Sequence, residues 1–347
     1  MAARLARESV SVRAHARLGA PRRVRARPMT RVVVTGASGF VGGHVVAELA
    51  RRGIETVALG RRGASLAPVE GVCLQRVDVW DRSSLARVLA AADCVVHAAS
   101  VVHRPGASAD EYHRFNIDGT QALVDACDEV GVAKILMLGT IKVYGENTAG
   151  SVLDEACAVV PEGHYAASKL RAETIVSSRP GSIVFRLSPV FGRGDKGNVR
   201  AMIRAIARRR FVVPGDGSAR KSLVHVSSVA AAVAAATTSS VSGAYVLADP
   251  IAPTMRELAD TIARALGHRP PPSIPVPVVL AGAWLLDLLS SVSTGQARDH
   301  ANLVRKAMTS TLCSPAQIQR ALGIDCHVEL SAAILDEVQW MRSQSLL

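Results

Sequence analysis

The segment from Val32 to His44 constrains this chain more than any other: Val-Val-Val-Thr-Gly-Ala-Ser-Gly-Phe-Val-Gly-Gly-His. A β-branched run leads straight into three glycines, Gly36, Gly39 and Gly42, and then into a helical pattern. Gly36 permits a tight turn, Gly39 lets backbone amides approach a pyrophosphate without a Cβ in the way, and Gly42 lets the helix pack closely on the strand. The start of that helix offers unpaired N–H groups and a positive dipole end to an anion. Between a strand and a helix, near the start of the folded chain, the triplet predicts a dinucleotide site.

From Met29 onward, short apolar runs alternate with longer helical periodicities, the pattern of a parallel sheet covered on both faces. Strands are expected at Arg31 to Thr35, Glu55 to Leu59, Cys73 to Val77, Cys94 to Ala98, Lys134 to Leu138 and Ser182 to Leu187. Helices are expected at Gly42 to Arg52, Ser83 to Ala91, Gly119 to Val130 and Tyr165 to Ser178. The predicted fold class is α/β, a doubly wound parallel Rossmann sheet over residues 29–188 with a smaller C-terminal substrate-binding lobe over 189–347. Within that lobe, glycine-broken loops surround a basic helix from Val199 to Arg210, and Ala244 to Leu247 is expected to return to the sheet. A length of 347 residues exceeds what one compact core usually holds, which suits this division.

The net charge of +12 would fit a nucleic-acid partner if it were spread over the chain. It is not: residues 1–28 hold eight arginines (Arg4, Arg7, Arg13, Arg17, Arg22, Arg23, Arg25 and Arg27) against the single acid Glu8. That segment has no apolar run of a secretory signal, although its arginine-rich character is shared by transit peptides; it is expected to be an unstructured extension. No nucleic-acid partner is expected. Six scattered cysteines, with no CxxC pair and no metal-ligand spacing, point to a reduced, cytoplasmic setting without a metal. The most membrane-like stretch, Ile274 to Val292, contains Pro275, Pro277 and Asp287. It is expected to be a loop feeding a buried helix, because a span needs about 20 uninterrupted apolar residues.

The end of the second strand bears on the dinucleotide. Where an acid would hold the adenosine ribose hydroxyls, the chain reads Gly60, Arg61, Arg62. Guanidinium groups bind a 2′-phosphate that an acid would repel, so NADP is the expected cofactor in preference to NAD, through Arg61 and Arg62. Asp78, after the third strand, is a candidate acceptor for the adenine edge and equally a cap for the next turn.

Further along, Tyr165-Ala166-Ala167-Ser168-Lys169 sets a phenol and an ammonium one helical turn apart. A phenol with an ordinary pKa near 10 exchanges protons poorly at neutral pH. A neighbouring ammonium and an oxidised nicotinamide are expected to favour the phenolate. In the reductive direction the phenol donates its proton as hydride reaches a carbonyl carbon. Thr140, after the fifth strand and 25 residues before Tyr165, brings a hydroxyl that can hold the substrate oxygen. Thr140, Tyr165 and Lys169 are therefore the expected catalytic set, while Tyr144 reads as packing.

Together the segments TGASGFVGGH, VDVWD, VVHAAS, NIDGT, GTIKVYGE, YAASK, RLSPVFGRGDKGN and RKSLVHV resemble the extended short-chain dehydrogenases, the NAD-dependent epimerase/dehydratase family, over about residues 29–345. The resemblance implies the same catalytic triad. It implies cofactor contacts at Gly36, Ser38, Gly39, Phe40, Val41, Gly42, Val79, Ala98, Ala99, Lys169 and Ser188, and a homodimer formed through helices. Sugar dehydratases of the family place two acids after the catalytic Thr, and here those positions are Ile141 and Lys142, so dehydration is not expected. The phrases GTIKVYGE and GRGDKGN look most like enzymes acting on UDP-linked amino sugars in polysaccharide assembly. The expected reaction is reduction of a 4-keto group. The alternatives are a UDP-sugar 4-epimerase with tightly held NAD, a carbonyl reductase of the steroid or flavonoid type, and a dinucleotide-sensing protein without catalysis. In the lobe, Asn198, Arg220 and Lys221 are the candidates for the uracil or pyrophosphate of a nucleotide-sugar substrate.

Overall fold

The computed structural model describes residues 31–60, 68–102, 106–145, 150–294 and 300–347. Arg61, Arg62 and the basic leading segment lie outside them. The first half of the chain runs β1 (Arg31–Thr35), α1 (Phe40–Arg51), β2 (Glu55–Gly60), β3 (Val72–Arg76), α2 (Arg82–Leu89), β4 (Cys94–His97), α3 (Ala109–Tyr112), α4 (Gly119–Val130) and β5 (Lys134–Leu138). A short strand β6 (Val152–Leu153) precedes α5 (Gly163–Ser177) and β7 (Ile183–Leu187).

The second half continues with β8 (Val190–Phe191), α6 (Asn198–Ala207), β9 (Val213–Pro214), β10 (Val224–His225), α7 (Val226–Thr237), β11 (Gly243–Leu247) and α8 (Met255–Leu266). It ends with β12 (Ser273–Ile274), α9 (Val276–Thr294), α10 (His300–Met308), β13 (Leu312–Cys313), α11 (Ala316–Leu322) and α12 (Leu330–Ser343).

Seven strands form one parallel sheet in the order β11-β7-β5-β4-β1-β2-β3. Alternate residues of each strand enter opposite layers, as strand pleating requires. Val32, Val34, Cys94, Val96, Leu136 and Phe185 face α1 and α7 in one core, while Val33, Val57, Val95, Ile135 and Met137 face α2, α4 and α5 in the other. A third core, built on Ile203, Ile262 and Ile334 from α6, α8 and α12, belongs to the lobe. The return strand β11 pairs with β7 in register Ala244 to Val184 and Leu247 to Leu187, closing one edge of the sheet.

The order of strands reverses between β1 and β4, and in open parallel sheets the crevice outside the carboxyl ends at that reversal is where ligands bind. Here the register brings Thr35 beside both Leu59 and His97 at that edge.

The stretch expected as a loop feeding a buried helix departs from expectation. It is helical from Val276 to Thr294, and within it Val278 is 59% and Trp284 66% exposed. Pro277 is tolerated because the first turn of a helix has no partner for its N–H groups in any case. Among the described residues no helix is long and apolar enough to cross a membrane.

Candidate active site

The glycine turn is built as its spacing requires. Gly36 has φ +68°, and a Cβ on it would lie 2.6 Å from the amide nitrogen of Ala99. Ala98 and Ala99, just beyond β4, are thus packed against the turn itself. A Cβ on Gly42 would collide with the Gly36 carbonyl, so α1 can sit against the turn only without a side chain there. Gly39 donates its N–H to the Gly36 carbonyl at 2.8 Å and serves as N-cap of α1 without any side-chain cap. The first N–H groups of that helix, beginning at Phe40 and Val41, are left for an anion, beside the exposed Ser38.

The catalytic candidates converge on the same carboxyl edge. Thr140 lies two residues past β5, and Tyr165 and Lys169 come from the first turns of α5. The Thr140 hydroxyl is hydrogen-bonded to the Tyr165 phenol. Lys169 is 4% exposed, and its Nζ donates to the Leu138 carbonyl at the end of β5 at 2.8 Å. Burial brings its pKa down to about 8, against the opposing pull of Glu173. The Tyr112 ring lies 5.8 Å from that of Tyr165, centroid to centroid.

One expectation is reversed in the protein alone. Burial pushes the Tyr165 phenol up to about 12, and the Thr140 hydrogen bond offsets this only in part. Burial of the phenol is the larger effect in the protein alone, while the Lys169 ammonium keeps its charge in its hydrogen bond to the Leu138 carbonyl.

Beneath these side chains runs a hydrogen-bond relay that sequence reading passed over. Asn116, 2% exposed, donates to Ser168 Oγ at 3.0 Å and to the Val101 carbonyl at 3.0 Å, and accepts from the Val101 N–H at 2.7 Å. Ser168 in turn donates to the Tyr165 carbonyl at 2.8 Å. The Thr120 hydroxyl donates to the Asn116 carbonyl at 2.6 Å, so it must accept from His97 Nε2 at 3.0 Å. His97 Nδ1 is then the acceptor for the Thr35 hydroxyl, 2.9 Å away. Burial, and after it the Lys169 charge, hold His97 neutral by lowering its pKa to about 3. The relay connects Thr35, the residue before Gly36, with the turn of helix between Tyr165 and Lys169. A second missed group is the buried ion pair of Arg186 and Glu173, at 2.6 Å, with Arg186 also donating to Tyr144 Oη at 2.7 Å. The NIDGT segment hinted at Asn116; no local pattern announces Arg186.

The remaining predicted residues are less uniformly placed. The Ser188 hydroxyl, one residue past β7, is buried and has no hydrogen-bond partner among the described residues, an orphan of the kind a bound cofactor satisfies. Asp78 serves its turn, accepting from the Trp80 N–H at 3.1 Å, and the half-buried Val79 packs against the α2 and α4 core. Asn198 is exposed at the start of α6. Arg220 donates to the Ala252 carbonyl at 3.1 Å. Lys221 donates to the Lys306 carbonyl at 2.6 Å and to that of Thr309. Both lobe cations are therefore engaged by backbone of this chain. Burial, and after it the charge of Lys142, next to Ile141, lowers the Lys221 pKa.

A half-buried phenol hydrogen-bonded to a hydroxyl, with an ammonium one turn away and a turn suited to pyrophosphate, is equipped to pass a proton beside a dinucleotide. The chain is 27% identical over 273 residues to N-acetyl-alpha-D-glucosaminyl-diphospho-ditrans,octacis-undecaprenol 4-epimerase of Escherichia coli O157:H7, covering 76% of this chain and 80% of that protein. It is 28% identical over 255 residues to 2-alkyl-3-oxoalkanoate reductase of Stenotrophomonas maltophilia, covering 68% and 76%. The solved structure of MoeE5 in complex with UDP-glucose and NAD superposes with a TM-score of 0.72 at 26% identity, over 91% of this chain and 99% of that one. Residues 32–248 match the model of the NAD dependent epimerase/dehydratase family, and the chain belongs to that family as an NAD-dependent enzyme of the short-chain dehydrogenase type.

Proposed function

We propose that this enzyme works at C4 of a diphosphate-linked sugar and reduces a 4-keto group to the alcohol. The observation that carries the reading is the hydrogen-bonded pair of Thr140 and Tyr165 at the carboxyl edge, with Lys169 buried one turn beyond. A bound nicotinamide supplies the hydride. Thr140 holds the carbonyl oxygen of the substrate, and Tyr165 delivers its phenolic proton to that oxygen as the alcohol forms. Lys169 carries the positive charge that steadies the resulting phenolate. Ile141 is buried and apolar where an eliminating enzyme would need an acid, which argues against loss of water. The glycine turn and the orphaned Ser188 hydroxyl are the groups that would hold the dinucleotide.

NADPH is the proposed reductant. Gly60 ends β2 in register with Arg76 at the end of β3, and the sequence continues into Arg61 and Arg62, so no acid stands there to repel a 2′-phosphate. A second reading is a 4-epimerase that retains NAD, favoured by the Escherichia coli relative's reaction and by the NAD bound to MoeE5.

A panel of UDP-sugars and UDP-4-keto-sugars, with NADPH or NADH and products resolved by NMR, tests the proposal. Consumption of NADPH with a 4-keto-sugar supports it. Inversion of a UDP-sugar without added dinucleotide, by protein that releases NAD on denaturation, overturns it for the epimerase reading.

A further inference from the structure

Tyr165, Lys169 and Glu173 follow one another at intervals of four on α5 and so share one face of the helix. Glu173 and Arg186 are both buried and are joined by three hydrogen bonds. Arg186 Nε donates to the two carboxylate oxygens at 3.1 and 3.3 Å, and Nη2 donates to Oε1 at 2.6 Å. The other arm of the guanidinium donates through Nη1 to Tyr144 Oη at 2.7 Å. Tyr144 closes the single helical turn Ile141–Tyr144, which Thr140 caps by accepting the Lys142 N–H at 3.3 Å. Arg186 itself sits on β7. One side chain on the sheet therefore grips both the helix that carries Tyr165 and Lys169 and the turn that carries Thr140.

We propose that Glu173, Arg186 and Tyr144 are positioning residues for proton transfer: they lock the Thr140 turn to α5 and keep a carboxylate charge one turn beyond Lys169. The inference rests on the roles proposed above for Thr140, Tyr165 and Lys169. A buried ion pair is a poor device for merely holding layers together, since apolar side chains of like volume often pack there as stably or more so. What apolar residues lack is direction and charge. The planar fork of Arg186 fixes its two partners at set angles. The Glu173 charge opposes the burial that lowers the Lys169 pKa. Of the other titratable groups near Lys169, His97 of β4, lowered to about 3, and Tyr165, raised to about 12, are both neutral at pH 7. Burial raises the Tyr144 phenol to about 12 against the pull of Arg186, and Glu155 and Cys157 add to the rise, so the second partner of Arg186 is neutral as well.

Nuclear magnetic resonance of the full chain, with its lysines isotopically labelled at Cε, tests this. The sequence has only Lys134, Lys142, Lys169, Lys196, Lys221 and Lys306 to resolve. The signal missing from Lys169→Arg is that of Lys169, and its shift against pH gives the titration midpoint without substrate. A midpoint of about 8 is expected in the wild type. Glu173→Gln should lower it by about one unit, and Glu173→Asp should restore part of the fall. A site merely loosened by the substitution would admit water and move the midpoint up toward 10.5, so a fall is not a sign of damage. Tyr144→Phe keeps both charges and the ring, and decides the matter if Glu173→Gln does not fold. It should leave the midpoint in place and lower kcat about ten-fold, with KM little changed, for the UDP-4-keto-sugar and NADPH of the panel. A midpoint that stays or rises in Glu173→Gln overturns the proposal, as does full kcat in Tyr144→Phe. Failure of the reductase reading leaves the midpoints standing, because they are read without substrate; an enzyme that inverts C4 is assayed with its UDP-sugar for the Tyr144→Phe comparison.

Discussion

The ammonium of Lys169 donates to the carbonyl of Leu138 at 2.8 Å, anchoring the first turns of α5 to the end of β5. The bond leaves the charge buried, and burial lowers the pKa to about 8. The phenol of Tyr165, raised to about 12, stays protonated throughout the working range and remains able to donate. In the reductive direction kcat/KM should therefore be level below about pH 8 and fall above it, as Lys169 loses its proton. Lys169→Arg should move that alkaline limb upward, because a guanidinium does not titrate there. An alkaline limb that stays in place in this variant would assign it to another group.

Asn116 makes three hydrogen bonds in a site 2% exposed to solvent. Replacing it by Leu leaves the Val101 N–H and carbonyl without their partner and takes one from the Ser168 hydroxyl. Each orphaned group costs about 1–3 kcal/mol. Thermal unfolding should register that loss, and kcat should fall more than KM rises, since Ser168 holds the backbone of Tyr165. Unchanged stability would remove Asn116 from the account.

Much of this was legible in sequence. The bounds of β1, β5 and α4 are those expected, because their apolar periodicity is strong and their ends are marked: Gly131, with φ +75°, stops α4 in the left-handed conformation a glycine adopts readily. The glycine turn and the Tyr165–Lys169 spacing are also local, and local spacing survives into three dimensions. What was not legible depends on partners distant in the chain. Arg186 meets Glu173 and Tyr144 across 13 and 42 residues, and Lys221 reaches the end of α10 across 85. The exposure of Trp284 was missed for the opposite reason. An apolar helix reads the same whether it is buried or left open, and only the packing of its neighbours decides.

Glu337, on α12, is fully buried, and the Gly192 backbone N–H only partly offsets that burial. Burial, and then the nearby Asp195, raise its pKa from 4.5 to about 8. The folded state thus holds this proton more tightly than the unfolded chain. The stability it contributes is full below pH 4.5 and is lost as pH rises through about 8. The melting temperature of the wild type should decline over that interval, and Glu337→Gln should flatten the decline. A variant that keeps the full slope would place the titrating group elsewhere.

The most direct test of the central claim is Tyr165→Phe, assayed for dinucleotide binding and for turnover in the same preparation. Removing a positioned proton donor costs about 10²–10⁴ in rate. The account predicts a loss of that size in kcat with the Kd for dinucleotide unchanged, because the glycine turn is untouched. Turnover at the wild-type rate would contradict it.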